Sequence, residues 1–470
     1  MNKTKQIILS YCKSSGFSEI FSAVNQITIH DTSFAGGGFG DIYHISAIDG
    51  NVIPPIPQVV KVFKESTDGR NEHSWKTISR LQDCIVKEVE LLRTNNLDFL
   101  SEYPAFWGLP QFSFVGTLDG KEVRGYVSNN LNAMGYYSFD KIREDSRLGY
   151  EFYANRDIRD KFIMCYHLAR AFRFLMKNNY IHADLSADNI FISGIEPLCA
   201  LIDFDSGAIV EQANDNPSTW GKPQDWLAPE ISFNFVNPKE IINVNLFTDA
   251  WSVAIAIHYI LLSVPAYFLT DLSRNTLHYY TKKYTWPEIE ESDEKFNVDL
   301  TDVYKNFLLD AKYLPEPIFR EFQCTFTNGV FDPTLRTTYY KWELVLRELI
   351  PPEKRKATRS KLLKPIEPLP PPPPTMGEIK KYINELIRDI ILEGEDLKKH
   401  RGILCEIAAR SGLDGNVVLT EMNEFIYLFN EVIEDRVVTK LEKSNLFMQA
   451  ELSYISRETV DELISTYQVM

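Results

Sequence analysis

Five consecutive prolines, Pro370 to Pro374, divide this chain of 470 residues. Proline has no backbone N–H to donate, and a proline run adopts an extended, semi-rigid helix of its own, so neither a sheet nor a helical core can pass through it. Pro351-Pro352 and a basic run (Lys354, Arg355, Lys356, Arg359, Lys361, Lys364) lead into the prolines. The chain is thus expected to fold as one part over 1–350 and another over 376–470, joined by a basic, proline-rich linker over 351–375. A length beyond one ordinary domain agrees with that division. The linker reads as a spacer, with docking of an SH3-like or WW-like partner as its alternative role.

Within the first part, short strand-like runs come first: Ile27 to Phe34, Asp41 to Ser46, Gln58 to Phe63 and Val123 to Ser128. Between the last two, Trp75 to Arg93 places Ile78, Leu81, Ile85, Val89 and Leu92 on one helical face. From Ile158 onward helical patterns dominate, so the fold class is α+β. Trp251 to Leu269 is nearly uncharged and long enough to cross a bilayer. Pro265 and His258 argue instead for a helix buried in a large core. Past the prolines the pattern is helical throughout: Ile379, Tyr382, Ile383, Leu386, Ile387 and Ile390 share a face, Gly412 caps a second helix and Ser456 starts the last. The periodic apolar residues there read as that module's own core.

The net charge of −15 excludes general binding to nucleic acid or anionic membrane, both of which want a basic surface. Six cysteines are scattered without paired short spacings. This is neither a zinc site nor a disulfide framework, and it suits a reducing, cytoplasmic setting. Met1 to Ile8 holds too short an apolar run for a signal peptide. Asp414-Gly415 and Glu421 fit parts of a calcium loop, but Arg410 at its first position excludes a normal one.

The chemistry concentrates in His182-Ala183-Asp184-Leu185-Ser186-Ala187-Asp188-Asn189 and, after an apolar stretch, Leu201-Ile202-Asp203-Phe204-Asp205. Phosphoryl transfer from ATP needs one carboxylate to orient an attacking hydroxyl, and an Asn and a second carboxylate to hold metal ions on the phosphates. Upstream, Ala35-Gly36-Gly37-Gly38-Phe39-Gly40-Asp41-Ile42 lies between two strands, where glycines let backbone amides approach phosphate oxygens. By itself such a cluster is usually a hairpin turn. Lys61 stands in an apolar strand and, once buried, needs a partner. Glu88 on the following helix offers one, while Glu90 points to solvent.

In this order the motifs resemble the eukaryotic-type protein kinase family over roughly Thr28 to Pro351. The resemblance implies a two-lobed domain, with a lobe at about 1–127, another at about 128–350 and the 376–470 helical module beyond. It implies ATP and Mg²⁺ (or Mn²⁺) as cofactors. ATP would be bound by Ala35, Gly36, Gly37, Gly38, Phe39, Gly40, Ile42 and Lys61, and by a hinge near Tyr126 to Asn130, through Tyr126, Val127 and Ser128. Lys61 would pair with Glu88, Asp184 would be the catalytic carboxylate, and Asn189 and Asp203 would ligate metal. His182, Phe204, Asp249, Glu230 and Arg336 would be structural supports: Phe204 packing on the Glu88 helix, Glu230 of Ala228-Pro229-Glu230 pairing with Arg336, and Asp249 holding the catalytic-loop backbone. The implied activity is transfer of the γ-phosphoryl group to Ser/Thr hydroxyls of protein substrates, the chain itself included. A small-molecule phosphotransferase and a nucleotide-binding pseudokinase are the alternatives. The helical module would dock a regulator or substrate, and no nucleic-acid partner or membrane span is implied.

Four departures from the family pattern stand out. Ala35 replaces the first glycine. Asp205 replaces the Gly after the metal Asp and its Phe, a tolerated change with Gly207 supplying flexibility. Ala183 replaces the Arg that commonly receives an activating phosphate, so activity should not need phosphorylation at Ser206, Ser218 or Thr219. Ser186 stands where many relatives have a Lys, for which Lys222 is a substitute cation.

Overall fold

The computed structural model describes residues 3–17, 24–36, 40–52, 57–64, 70–210, 226–232, 245–351, 376–393, 397–410, 413–433 and 438–469. Two compact units divide the chain, Met1–Lys361 and Leu362–Met470. The expected linker, apart from Pro351, lies outside the described residues, as do Gly412, Ser218, Thr219 and Lys222.

The first unit begins with an eight-stranded antiparallel sheet. Its strands are β1 (Thr4–Ser14), β2 (Gln26–His30), β3 (Ala35–Gly36), β4 (Gly40–Ile48), β5 (Asn51–Val52), β6 (Gln58–Phe63), β7 (Phe112–Leu118) and β8 (Lys121–Asn129). The order β2-β1-β7-β8-β6-β4 returns on itself because β4 also pairs with β2, Ile27 lying opposite Ile48. Closure leaves these six strands without a free edge and wraps them round Ile7, Ile27, Ile29, Ile45, Val60, Val62, Phe112, Phe114 and Val127.

The strand that completes the ring, β1, was not legible in the sequence. Of its eleven residues only Ile7 is buried, and Ile8 and Tyr11 face outward. It also pins helix α1 (Arg70–Thr94) against the sheet. Lys13 Nζ donates to the carbonyl and hydroxyl of Ser79 at 2.7 and 3.0 Å, Gln82 donates to Lys13 O, and Arg93 donates to Gly16 O. The expected apolar face of α1 (Ile78, Leu81, Ile85, Val89, Leu92) is buried.

The rest of this unit is mostly helical. Helix α2 (Ile158–Lys177) packs against α5 (Tyr339–Leu349) and α3 (Thr248–Leu262), and α4 (Glu316–Phe326) lies against α3 and α5. Every residue of α3 is buried, which accounts for the membrane-like stretch. The helix ends at Ser263, in the left-handed region with φ 64°, ahead of Pro265. Among the described residues no helix is long and apolar enough to cross a membrane. Two small sheets, β9 (Tyr136–Ser138) with β11 (Ile190–Ser193) and β12 (Cys199–Leu201), and β10 (Tyr180–Ile181) with β13 (Ala208–Ile209), carry the loops of chemical interest.

The second unit contains helices α6 (Met376–Glu393), α7 (Leu397–Arg410), α8 (Gly415–Val432), α9 (Lys440–Leu452) and α10 (Arg457–Val469). Ile379, Ile383, Ile387, Met422, Phe425, Phe429, Val460 and Leu463 are buried in it. Asp414 caps α8 by accepting from Asn416 N, Thr439 and Glu442 form a reciprocal cap on α9, and Ser456 Oγ accepts from Thr459 N at the start of α10. The residues resembling a calcium loop therefore serve as helix cap and core.

Candidate active site

The hairpin of β11 and β12 builds the floor of the site. Ile190 pairs with Leu201, and Ile202 N donates to Asn189 O at 3.1 Å, so Asn189 and Asp203 emerge at the same end of the hairpin. Just before it, the loop holding Asp184 is fixed from below. Asp249, at the start of α3 and buried, accepts from the backbone N–H of His182 and of Ala183, the latter at 3.1 Å. His182 Nε2 lies 2.9 Å from Ile202 O. Asn189 Nδ2 donates to the backbone carbonyl and to Oδ2 of Asp184, at 2.7 and 3.2 Å.

Two non-glycine residues here adopt left-handed backbone, Ala183 (φ 60°) and Asp203 (φ 67°). Each such residue costs on the order of 1–3 kcal/mol and persists because its surroundings impose it, an arrangement concentrated at functional sites. Phe204 is fully buried against Phe106 and His182, and the turn Phe204–Ser206 packs on α1.

Lys61 enters from β6, opposite Tyr126 of β8, and is only 8% exposed. Its ammonium donates to Asp203 Oδ1, and to Asp205 Oδ1 at 2.9 Å. The expected Lys61–Glu88 pair is not formed. Glu88 Oε1 instead accepts from the Tyr103 hydroxyl at 3.0 Å, and the Tyr103 ring is held among Phe99, Phe106 and Phe174 beneath Arg170. Glu90 is exposed. Burial alone would lower the Lys61 pKa, but the charges of Asp205 and Asp203 outweigh it and raise the pKa. Asp203 is pushed up by burial, yet the Lys61 ammonium holds it below the usual carboxylate range. Burial, reinforced by the charge of Asp203 and opposed by that of Lys61, raises Asp205.

Three expectations need correction. Asp205 is not a passive replacement for glycine: it is buried, bonded to Lys61 and accepts the Tyr126 hydroxyl at 2.9 Å. Gly207 does not supply unusual flexibility, since its φ is −78°. Its lack of a side chain matters because a Cβ would collide with the Tyr180 hydroxyl and Ile181 O. The third correction concerns the hinge. Tyr126 and Val127 each have ladder neighbours on both sides, Lys61 and Ser113 for the first, Val60 and Phe112 for the second. Their backbone groups are engaged in the sheet, and Val127 O accepts from Gln111 N at 2.7 Å. Ser128 and Asn129, past the start of β7, each have a neighbour on one side alone.

Of the glycine-rich segment, Ala35 and Gly36 pair with Ile42 and Asp41, and Gly40 lies opposite Phe63. Gly37, Gly38 and Phe39 lie outside the described residues. On the far side of the floor, Arg336 is fully buried and bidentate to Glu230, with a 2.9 Å bond from Nη1 to Oε1. Its other donors reach Phe247 O and Gly329 O, both at 3.0 Å, and its plane lies over Trp251.

Asp184, Asn189, Asp203, Lys61 and Asp205 are thus gathered at one place, while Glu88 is turned to Tyr103. Sequence reasoning missed Asp205, Tyr126 as a side-chain partner, and Tyr103. A second carboxylate two residues beyond Asp203 was the available signal. The donor set fits a nucleotide-bound hard cation: the Asp203 carboxylate and the Asn189 amide oxygen are hard ligands, and Mg²⁺ typically takes only one or two protein carboxylates beside phosphate oxygens.

The family model for protein tyrosine and serine/threonine kinases matches residues 30–301, more than half of the chain. The chain belongs to this kinase family. A stretch of 123 residues, 26% of the chain, is 27% identical to the "Probable serine/threonine-protein kinase PLK" of Dictyostelium discoideum, and covers 12% of that protein. The family typically binds ATP and Mg²⁺.

Proposed function

We propose that this chain is an ATP-dependent protein kinase that phosphorylates Ser or Thr hydroxyls of protein substrates, itself among them. The convergence of Lys61, Asp184, Asn189 and Asp203 carries this reading, and family membership supports it. Nucleotide would lie between the sheet part and the helical part of 1–350, taken as two lobes.

Asn189 and Asp203 would hold Mg²⁺, which when bound neutralises charge on the phosphates. Lys61 would place its ammonium against phosphate oxygens. Asp184, oriented by Asn189, would accept the hydrogen bond of the substrate hydroxyl and take its proton. The Asp249 clamp on the loop backbone keeps that carboxylate in position before substrate arrives, so catalysis rests on positioning and charge. The Ala228-Pro229-Glu230 segment, tied to Arg336, supports a protein rather than a small-molecule substrate. We assign 376–470 to docking of a substrate or regulator, 351–375 to the spacer, and the chain to the cytoplasm.

The test is transfer of labelled phosphate from ATP to the chain and to a generic protein substrate, followed by mapping of the modified residues. Asp184→Ala should lower transfer by about a thousandfold while sparing nucleotide binding. Asp203→Ala should weaken Mg²⁺-dependent nucleotide binding as well. ATP binding without turnover would make the chain a pseudokinase, and mapping to residues other than Ser and Thr would overturn the acceptor assignment.

A further inference from the structure

The geometry points to Asp205, rather than Glu88, as the carboxylate that positions Lys61 for the phosphates of a nucleotide. This rests on the kinase reading above and concerns how the same site is held. Asp205 Oδ1 accepts two bonds of 2.9 Å, from the Lys61 ammonium and from the Tyr126 hydroxyl. Lys61 and Tyr126 face each other across adjacent strands, so one sheet supplies both donors. The Asp205 side chain is completely buried and the Tyr126 residue only 5% exposed, so neither is displaced cheaply.

Asp203, the other partner of Lys61, is also the carboxylate assigned to metal. An ammonium buried as deeply as this one needs an anionic partner that stays when a cation draws on Asp203. Asp205 meets that need, for the Tyr126 hydroxyl donates to the same Oδ1 and keeps it beside Lys61.

Glu88 lies on the opposite side of this balance. Its carboxylate accepts the Tyr103 hydroxyl, and Tyr103 is wedged in an aromatic cluster. Helix α1, which carries Glu88, is tethered to β1 through Lys13 and Gln82, and to Gly16 just beyond β1 through Arg93. Engaging Lys61 from Glu88 would draw that carboxylate away from Tyr103 and pull α1 against its tether. Lys61 is therefore set by the Asp203–Asp205 turn and by β8 rather than by the carboxylate of Glu88. Asp205 acts through Lys61 and is a positioning residue.

The experiment uses the full chain with Asp205→Asn, Tyr126→Phe and Glu88→Gln, alone and combined with Lys61→Met. Asparagine keeps the shape and an acceptor for Tyr126, and Tyr126→Phe loosens Asp205 without altering it. Melting without nucleotide should show non-additive shifts for Lys61→Met with Asp205→Asn, and additive shifts for Lys61→Met with Glu88→Gln. In calorimetry with Mg·ADP, Asp205→Asn should weaken binding by about tenfold, the scale of one charge-assisted hydrogen bond. Its KM for ATP should rise more than its kcat falls, Tyr126→Phe should move both readouts the same way by less, and Glu88→Gln should have a smaller effect than Asp205→Asn.

Binding unchanged or tightened in Asp205→Asn, or a loss in Glu88→Gln that equals or exceeds it, overturns the inference. A wild-type chain that binds no Mg·ADP and transfers no phosphate sinks the kinase reading and the role of Asp205 with it. The nucleotide-free cycle distinguishes that result from a Lys61–Asp205 pair that was simply never formed.

Discussion

The floor of the site and its lysine corner hold their charged groups by different means. On the floor, Asp249 bonds backbone amides and Arg336 bonds a carboxylate and two carbonyls, so each buried charge meets partners in the scaffold itself. In the lysine corner, one ammonium is shared by two carboxylates, one of which is also the candidate metal ligand. The floor is complete without ligand. The corner is an arrangement of charges that a nucleotide and its cation would redistribute. The lesson is that rigidity and responsiveness can sit side by side when one is anchored to backbone groups as well as side chains and the other to side chains alone.

The largest expected effect falls on the floor. Arg336→Met would strand Glu230 and leave two carbonyls without a donor, and breaking a buried pair of this kind costs about 3–5 kcal/mol. Denaturant melts should register that loss, and a smaller loss than in Lys61→Met would break the contrast. Next, Asp249→Asn exchanges one of two acceptor oxygens for a donor facing a backbone N–H. A cost of about 1–3 kcal/mol is expected, together with reduced transfer and unchanged Mg·ADP affinity.

Acid titration separates the regions further. Burial lowers His167 of α2 and His258 of α3 to about 3, from an ordinary 6.5. Between those values the unfolded chain binds protons that the folded chain refuses. Stability should therefore fall below pH 6.5, by about 1.4 kcal/mol per pH unit for each imidazole once the unfolded chain is fully protonated. Asp203, held below 3.8, adds its loss only as pH falls through the carboxylate range. A melting series from pH 7 to 5 reads chiefly the histidines, and His167→Leu should flatten it in part.

The smallest effect is expected at Ser206, beside the lysine corner. Its hydroxyl is buried with no hydrogen-bond partner, so Ser206→Ala loses no bond and should leave stability unchanged or raise it, by about 1 kcal/mol at most. Transfer should be retained as well. A large loss of activity would instead make Ser206 a regulated position.

Much of the site was readable because its residues are local in sequence. Asp184 and Asn189 lie on one loop, and a short hairpin joins Asn189 to Asp203, so spacing and order were enough to bring them together. Strand β1 gave no comparable signal. Its single buried residue hides its pairing, and it lies between β2 and β7, far apart in sequence. Only the first two residues of the expected hinge, Tyr126 and Val127, lie inside the ladder, because a ladder's end depends on where the neighbouring strand begins, which is a property of β7 and not of β8.

What the sequence alone determined was the inventory and its order: a lysine in an apolar strand, carboxylates and an amide on adjoining loops, a uniformly apolar helix, and a proline run between two parts. Tertiary structure decided which charge meets which. Lys61 had Glu88, Asp203 and Asp205 as possible partners, and the choice fell to groups remote in the chain: Tyr126 holds Asp205, Tyr103 occupies Glu88, and β1 fixes the helix that carries Glu88. A buried ion pair forms where the folded chain brings further donors to its carboxylates, and those donors come together only in the assembled fold.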